Sequence, residues 1–277
     1  MATHRWTRLS TSRRLEEWET LLESVANPEH TVFVMRPDSS SLKIEVFGDE
    51  LLMRKLENAF GGRISRVHAD MAADASQAPR RPLSIRGKFR VFSNYQTWQK
   101  ERTAADIFVP AGMAFGTGDH ATTASCLRLL CDSTAKLAPG FSIADLGCGS
   151  GILAIAAERL GASFVEALDN DSDAVRIAEE NAQINFCKNI FFVAGDVLRW
   201  SPQRKYDLVI ANIYSEILMA AAPRVVRSLK SEGTLILSGV LVSQCDEVLA
   251  CFEQHGLRTE KVLKRGKWTA ARCRLAK

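Results

Sequence analysis

Asp169 stands 22 residues beyond Gly147, and Gly147 is the first glycine of the run Asp145-Leu146-Gly147-Cys148-Gly149-Ser150-Gly151. A carboxylate at the end of a strand can accept both hydroxyls of a ribose. A glycine-rich turn ahead of a helix lets a nucleotide lie on bare backbone, here at Gly147 and Gly149, with helix N–H groups facing it. The spacing is G-x-G-x-G, not the G-x-G-x-x-G of dinucleotide enzymes, and an acid, Asp145, precedes it. By itself such a turn is often only a close packing point between strand and helix. Three further features join it. Gly195-Asp196 closes another strand, where Asp196 can meet an adenine amino group. Asn212-Ile213 ends a fourth strand. Upstream, Phe115-Gly116-Thr117-Gly118-Asp119-His120-Ala121-Thr122-Thr123 sets two glycines around Thr117 and places Thr123 at a helix start.

These residues need particular elements to hold them. Phe141 to Ala144, Phe164 to Leu168, Asn189 to Ala194, Lys205 to Ala211 and Gly233 to Leu237 read as strands. Helical spacing alternates with them, at Ala121 to Cys131 before the first, Ile152 to Leu160 after it and Ser243 to His255 after the last, so the alternation calls for a parallel sheet. The pair Leu257 to Leu263 and Lys267 to Leu275, split by Lys264-Arg265-Gly266, reads as a terminal hairpin. The expected fold class is α/β, a doubly wound Rossmann-like sheet whose ligand sits at the carboxyl ends of the strands. Ahead of it, the order strand, helix (Arg13 to Val25), strand (Thr31 to Met35), strand (Leu42 to Phe47), helix (Asp49 to Phe60), strand (Ile64 to His68) predicts a small ferredoxin-like α+β unit. Met71 to Pro82 has no periodicity and reads as a linker, followed by short strands at Lys88 to Phe92 and Asp106 to Val109.

The set AFGTGDHATT, DLGCGSGILAIAA, ALDND, ANI and LSGVL, in this order and spacing, resembles the class I methyltransferases that use S-adenosylmethionine. Within them it is most similar to the bacterial PrmA family, which methylates a protein of the large ribosomal subunit. The match covers about residues 108 to 242. The resemblance implies cofactor contacts at Thr123, Gly147, Asp169 and Asn212; the element order and the composition shift at Met71 to Pro82 divide the chain into residues 1–70, expected for substrate recognition, 71–105 as linker and lead-in strands, and 106–277 as the methyltransferase domain. Tyr214-Ser215-Glu216-Ile217 stands where the family usually carries a small residue and a Gly-Pro or Asn-Pro pair, beside the acceptor site.

The chemistry so implied asks little of the protein. The methyl on a positive sulfur is already electrophilic, so transfer needs only a donor and an acceptor held in line, about 3 to 3.5 Å apart, and desolvated. A lysine amine, with a reference pKa of about 10.4, must be held neutral to attack. Asn212, the candidate catalytic residue, can accept one amine hydrogen through its carbonyl oxygen; it can also contact only the cofactor, or end its strand. Asp145 orders the turn or meets the cofactor's amino group rather than acting as a base. Asp171 and Asp173 suit the start of a helix. His120 either hydrogen-bonds within its own loop or shuttles a proton, and Tyr214 either walls the acceptor pocket or packs on the helix it opens.

Composition excludes other classes. With 46% apolar residues the chain can bury a core. No apolar run approaches 18 residues and Met1 to Thr11 has no signal-peptide core, so neither a membrane span nor secretion is expected. All seven cysteines lie from Cys126 onward without a C-x-x-C, which suits reduced thiols in a cytoplasmic protein. No histidine is spaced with Cys or acids as metal ligands are, so no metal is expected. The net charge is only +4, but Arg80 to Arg102 holds seven basic residues and one acid, and Arg258 to Lys277 eight and one. These runs are either solvated faces or a weak electrostatic footprint for RNA beside a ribosomal protein substrate.

Overall fold

The structure is a computed structural model that describes residues 4–23, 25–26, 31–35, 41–66, 82–110, 121–202 and 204–276. The chain divides into two compact units, residues 1–78 and 79–277.

The first unit follows β1 (His4–Thr11), α1 (Leu15–Glu23), β2 (Thr31–Met35), β3 (Ser41–Gly48), α2 (Glu50–Phe60) and β4 (Arg63–Arg66). Its sheet has the order β2-β3-β1-β4 with every pairing antiparallel, which is the ferredoxin-like arrangement expected. Alternation in β3 buries Leu42, Ile44 and Val46 on one face, against Trp6, Trp18, Met53 and Leu56. Asp49 caps α2 by accepting from the Leu52 amide at 2.8 Å, and Gly61 ends it at a φ of 66°. The expected linker falls largely on residues 67–81, outside the described residues.

The second unit opens with β5 (Leu83–Ile85), β6 (Phe89–Phe92), α3 (Tyr95–Glu101) and β7 (Ile107–Phe108). Then come α4 (Ala121–Thr134), β8 (Ser142–Leu146), α5 (Ile152–Arg159), β9 (Phe164–Asp169), α6 (Ser172–Ile184) and β10 (Ile190–Ala194). The unit ends with β11 (Tyr206–Asn212), α7 (Ser215–Ser228), β12 (Leu229–Leu241), α8 (Cys245–Gln254), β13 (Leu257–Arg265) and β14 (Trp268–Leu275). The large sheet has the order β10-β9-β8-β11-β12-β14-β13. Its first five strands are parallel, and β14 and β13 are antiparallel. The order runs outward from β8 on one side and from β11 on the other, so their carboxyl ends flank the switch point where such sheets bind ligands.

Strand periodicity divides the core in two. Ile143, Leu208, Ile210 and Ile236 face one side of the sheet, under α4 and α5. Ala144, Leu146, Val209, Ala211, Leu235 and Leu237 face the other, under α7 and α8. The lead-in strands join the first of these cores through Ile85, Phe89, Val91, Ile107 and Val109. The buried Asn185 side chain fastens β7 there: Oδ1 accepts from the Phe108 amide at 2.8 Å and Nδ2 donates to the Phe108 carbonyl at 2.6 Å. Helix α3 was not anticipated from sequence.

Candidate functional site

Asp145 and Leu146 lie within β8, not in the turn, so the turn proper begins at Gly147. Gly147, Gly149 and Gly151 adopt φ of 74°, 52° and 76°, a region that side chains other than glycine enter only at a cost. The turn is tied to β9: the Gly147 and Cys148 amides donate to the Leu168 carbonyl at 2.8 and 3.0 Å. Gly151 rests on Ala178 of α6, where an added Cβ would come within 2.9 Å of the alanine methyl. Cys148 is buried, and burial pushes its thiol far up, so it is inert at neutral pH.

Asp169 closes β9. Its Oδ2 accepts from the Gly149 amide at 2.8 Å and its Oδ1 from the Asp171 amide at 3.1 Å. The same carboxylate therefore shapes the turn and presents its remaining lone pairs to the cavity beside it. Asp171 caps α6 by accepting from the Asp173 amide at 2.9 Å. Asp196 holds its own turn through the Leu198 amide at 2.8 Å.

Between these strand ends lies a cavity of about 600 Å³, within the range of small-molecule sites. Gly147, Gly149, Asp169, Asp196 and Asn212, five of the residues singled out from sequence, line it together. Thr122 lines it rather than Thr123, which is fully buried behind it. Thr117 and His120, with the rest of 111–120, lie outside the described residues. Tyr214, Ile217, Gly239 and Trp268 also line the cavity. Of these, Tyr214 and Ile217 belong to the segment that follows Asn-Ile and Gly239 to the LSGVL run, whereas Trp268 had no sequence signal. Trp268 arrives through the antiparallel pairing of β14 with β12.

Asn212 Oδ1, on the cavity, is buried with no protein partner, as are Thr123 Oγ1 and both carboxylate oxygens of Asp145, two residues that do not line it. Buried polar groups are nearly always paired, so an unpartnered acceptor on a residue of the cavity wall marks a place where a ligand completes the bonding. Burial, with a push from the charge of Asp169, raises the Asp145 carboxyl to about 7. The Ala154 amide favours the ionised form but does not reach hydrogen-bonding geometry. Two carboxylates on the cavity wall, Asp169 and Asp196, suit a ligand that carries positive charge and hydroxyls. S-Adenosylmethionine has an ammonium, a sulfonium and a ribose, so the residues present fit it.

Asp145 has a measurable signature. Between about pH 4 and pH 7 the folded chain holds a proton that the unfolded chain has released. The ligand-free protein therefore loses stability as pH rises through that window. The loss has an upper bound of about 4 kcal/mol, at about 1.4 kcal/mol per unit. Asp145→Asn is expected to flatten this dependence, so the variant gains on the parent at pH 8 and not at pH 4. Urea unfolding at the two pH values checks it; parallel pH profiles for parent and variant would remove Asp145 as the source.

Among the described residues there is no group of three or more His, Cys, Asp or Glu that could hold a metal, and no helix long and apolar enough to cross a membrane.

Comparison with known proteins agrees with this geometry. The family model for ribosomal protein L11 methyltransferase (PrmA) matches residues 52–275. The ribosomal protein L11 methyltransferase of Desulforapulum autotrophicum is 41% identical over 165 residues, 59% of this chain and 54% of that protein. The one from Methylobacillus flagellatus is 37% identical over 208 residues, 73% of this chain and 68% of that protein. The crystal structure of the ribosomal protein L11 methylase from Lactobacillus delbrueckii subsp. bulgaricus superposes with a TM-score of 0.62 at 29% identity, covering 72% of this chain and 100% of the other. The chain thus spans little more than half the length of the first of these relatives. With the family model matching from α2 to β14 and the cavity at the switch point of the same sheet, the chain belongs to the ribosomal protein L11 methyltransferase family.

Proposed function

We propose that this protein transfers methyl groups from S-adenosylmethionine to amino groups, on lysine side chains or an N-terminus, of a large-subunit ribosomal protein. Ribosomal protein L11, the substrate named for its relatives, is the first candidate. The observation that carries the reading is the convergence of Gly147, Gly149, Asp169 and the unpartnered Asn212 Oδ1 on one cavity, in a chain of this family. The cofactor supplies an activated methyl group on a positively charged sulfur. The glycine turn and two carboxylates would hold it, Asp169 by accepting from the ribose hydroxyls and Asp196 from the adenine amino group. Asn212 Oδ1 accepts a hydrogen of the incoming amine and so orients its lone pair. Tyr214 and Trp268, on the same cavity, shield the amine from water, which favours its neutral form.

The decisive experiment incubates the full chain with methyl-labelled S-adenosylmethionine and large subunits or free ribosomal proteins from an unmethylated source. Label on one ribosomal protein supports the reading, and label on RNA or small amines overturns the protein acceptor. We place this activity in the cytoplasm, where such substrates are made.

The first unit, about residues 1–70, is proposed as the module that selects the protein substrate. Its own core and complete sheet support this. A chain shortened to residues 79–277 is expected to bind S-adenosylmethionine with unchanged affinity by calorimetry, yet to lose methylation of the protein substrate by an order of magnitude or more. Full-rate methylation by the shortened chain would assign the first unit another purpose.

A further inference from the structure

Two hairpins of the second unit end in the same three residues. The β5–β6 turn reads Arg86-Gly87-Lys88 and the β13–β14 turn reads Arg265-Gly266-Lys267. Both are built with left-handed backbone: Gly87 at a φ of 66°, Gly266 at 57° and, unusually for a non-glycine residue, Arg86 at 52°. All six residues are exposed, and a Cβ added to either glycine would meet nothing within 4 Å, so both tips stand in open space. Far apart in sequence, they meet at one helix. Arg128 of α4 loses some of its hold on its proton, first through burial and then through the positive charges of Arg265 and Arg86. Geometry places both hairpins on this helix, because Asp132 of α4 holds Arg86 of the one and Lys261 on β13 of the other.

The cations so gathered have little to neutralise them. Asp132, one turn further along α4, is shared: its Oδ2 is 2.8 Å from Arg86 and 3.0 Å from Lys261. Arg128 gives one N–H to the Ala124 carbonyl. Lys267 lies over the Trp268 ring, 5.3 Å from its centroid. Among the described residues no ion pair is formed by Lys88, Arg128, Arg265 or Lys267. Like charges held this close favour a polyanion that can touch several of them at once. Guanidinium groups match phosphate oxygens well, and exposed cations presented by two hairpins suit a backbone whose charges recur along a line. Trp268 belongs to both regions, because it pairs with Arg265 across the turn and lines the catalytic cavity.

We propose that the two Arg-Gly-Lys tips, with Arg128 between them, form a docking face for the phosphate backbone of double-helical RNA beside the acceptor site. The choice of RNA over other polyphosphates rests on the proposed ribosomal substrate; the face itself does not. Its contacts are sequence-independent, so it tethers the protein near RNA-bound substrates and leaves the choice of acceptor to other residues.

The test uses the full chain and a fluorescein-labelled RNA duplex of about 16 base pairs, the span a shape-reading double-stranded RNA domain covers. Fluorescence anisotropy across a salt series should show binding that weakens steeply with salt. The triple variant R86Q/K88Q/R265Q changes only exposed side chains. It should bind on the order of tenfold more weakly, with the slope of log affinity against log salt reduced by about two to three. A control with the same loss of charge elsewhere, R176Q/K188Q/R227Q, should keep most of the affinity and the slope. Calorimetry with S-adenosylmethionine on each variant reads the methyl-transfer site separately, so failure at one site is not mistaken for failure at the other. Four results would overturn the docking face: no binding of the duplex, equal loss in both triple variants, equal binding of polyglutamate, or tighter binding of the corresponding DNA duplex.

Discussion

Asp169→Ala should weaken S-adenosylmethionine binding roughly ten- to hundredfold, the range that follows from losing a hydrogen bond to a charged group at about 1.5 to 3 kcal/mol. The upper end is expected, because the carboxylate does two things at once. Its lone pairs face the cavity, and its Oδ2 holds the Gly149 amide at 2.8 Å. Removing it takes away a ligand contact and loosens the middle of the glycine turn. Asp169→Asn separates the two. The amide oxygen can still accept from Gly149, while the charge and half of the acceptor capacity are gone. Calorimetric titration of the three proteins should rank them parent, Asn, Ala. Equal affinity for parent and Ala would mean that Asp169 serves the turn alone and that the ribose is held elsewhere.

Much of this site is legible from residue types, since strand ends and glycine turns carry local signals. Four of the five parallel strands are short, largely apolar runs of five to seven residues, the fifth, β12, extends over thirteen, and the ligand edge follows from their order. Each of Gly147, Asp169, Asp196 and Asn212 stands at or just beyond the end of such a run. Short elements are harder to read. Strand β5 has three residues, too few to show alternation. Helix α3 has seven and buries only Trp98, although Asn94 caps it by accepting from the Thr97 amide at 2.9 Å. Trp268 could not be placed at the cavity without the register of β14 on β12, a pairing between segments some thirty residues apart. Asp145 belongs to the motif by sequence, but its complete burial follows from the packing of α4 and α5 over β8.

Gly239 shows what such packing fixes and how firmly. The register of β12 against β14 shifts between Leu237 and Val240, and Gly239 sits in that irregularity with a φ of 82°. A Cβ there would lie 2.4 Å from the Ile213 carbonyl oxygen and 2.8 Å from its carbonyl carbon. From the other side, a Cβ on Gly147 would lie 2.2 Å from Ile213 Cγ2. Ile213 is thus held between two bare backbones, and Asn212 is positioned through it. The two glycines differ in what opposes a side chain. At Gly147 it is a removable methyl group, whereas at Gly239 it is main chain. Gly239→Ala should therefore lower stability by about 3 kcal/mol or more: about 1 to 2 from the left-handed backbone and the rest from displacing residue 213. That corresponds to a fall in Tm of roughly 6 to 12 °C at about 2 to 4 °C per kcal/mol. Cofactor affinity should fall with it, because the Asn212 carbonyl oxygen moves with the backbone. Adding Ile213→Ala should restore part of the stability of Gly147→Ala and none of that of Gly239→Ala. Differential scanning calorimetry of the four variants gives the comparison directly. A Gly239→Ala protein that melts within about 2 °C of the parent, or one rescued by Ile213→Ala as fully as Gly147→Ala is, would show that β12 yields and that the position of Asn212 does not depend on this contact.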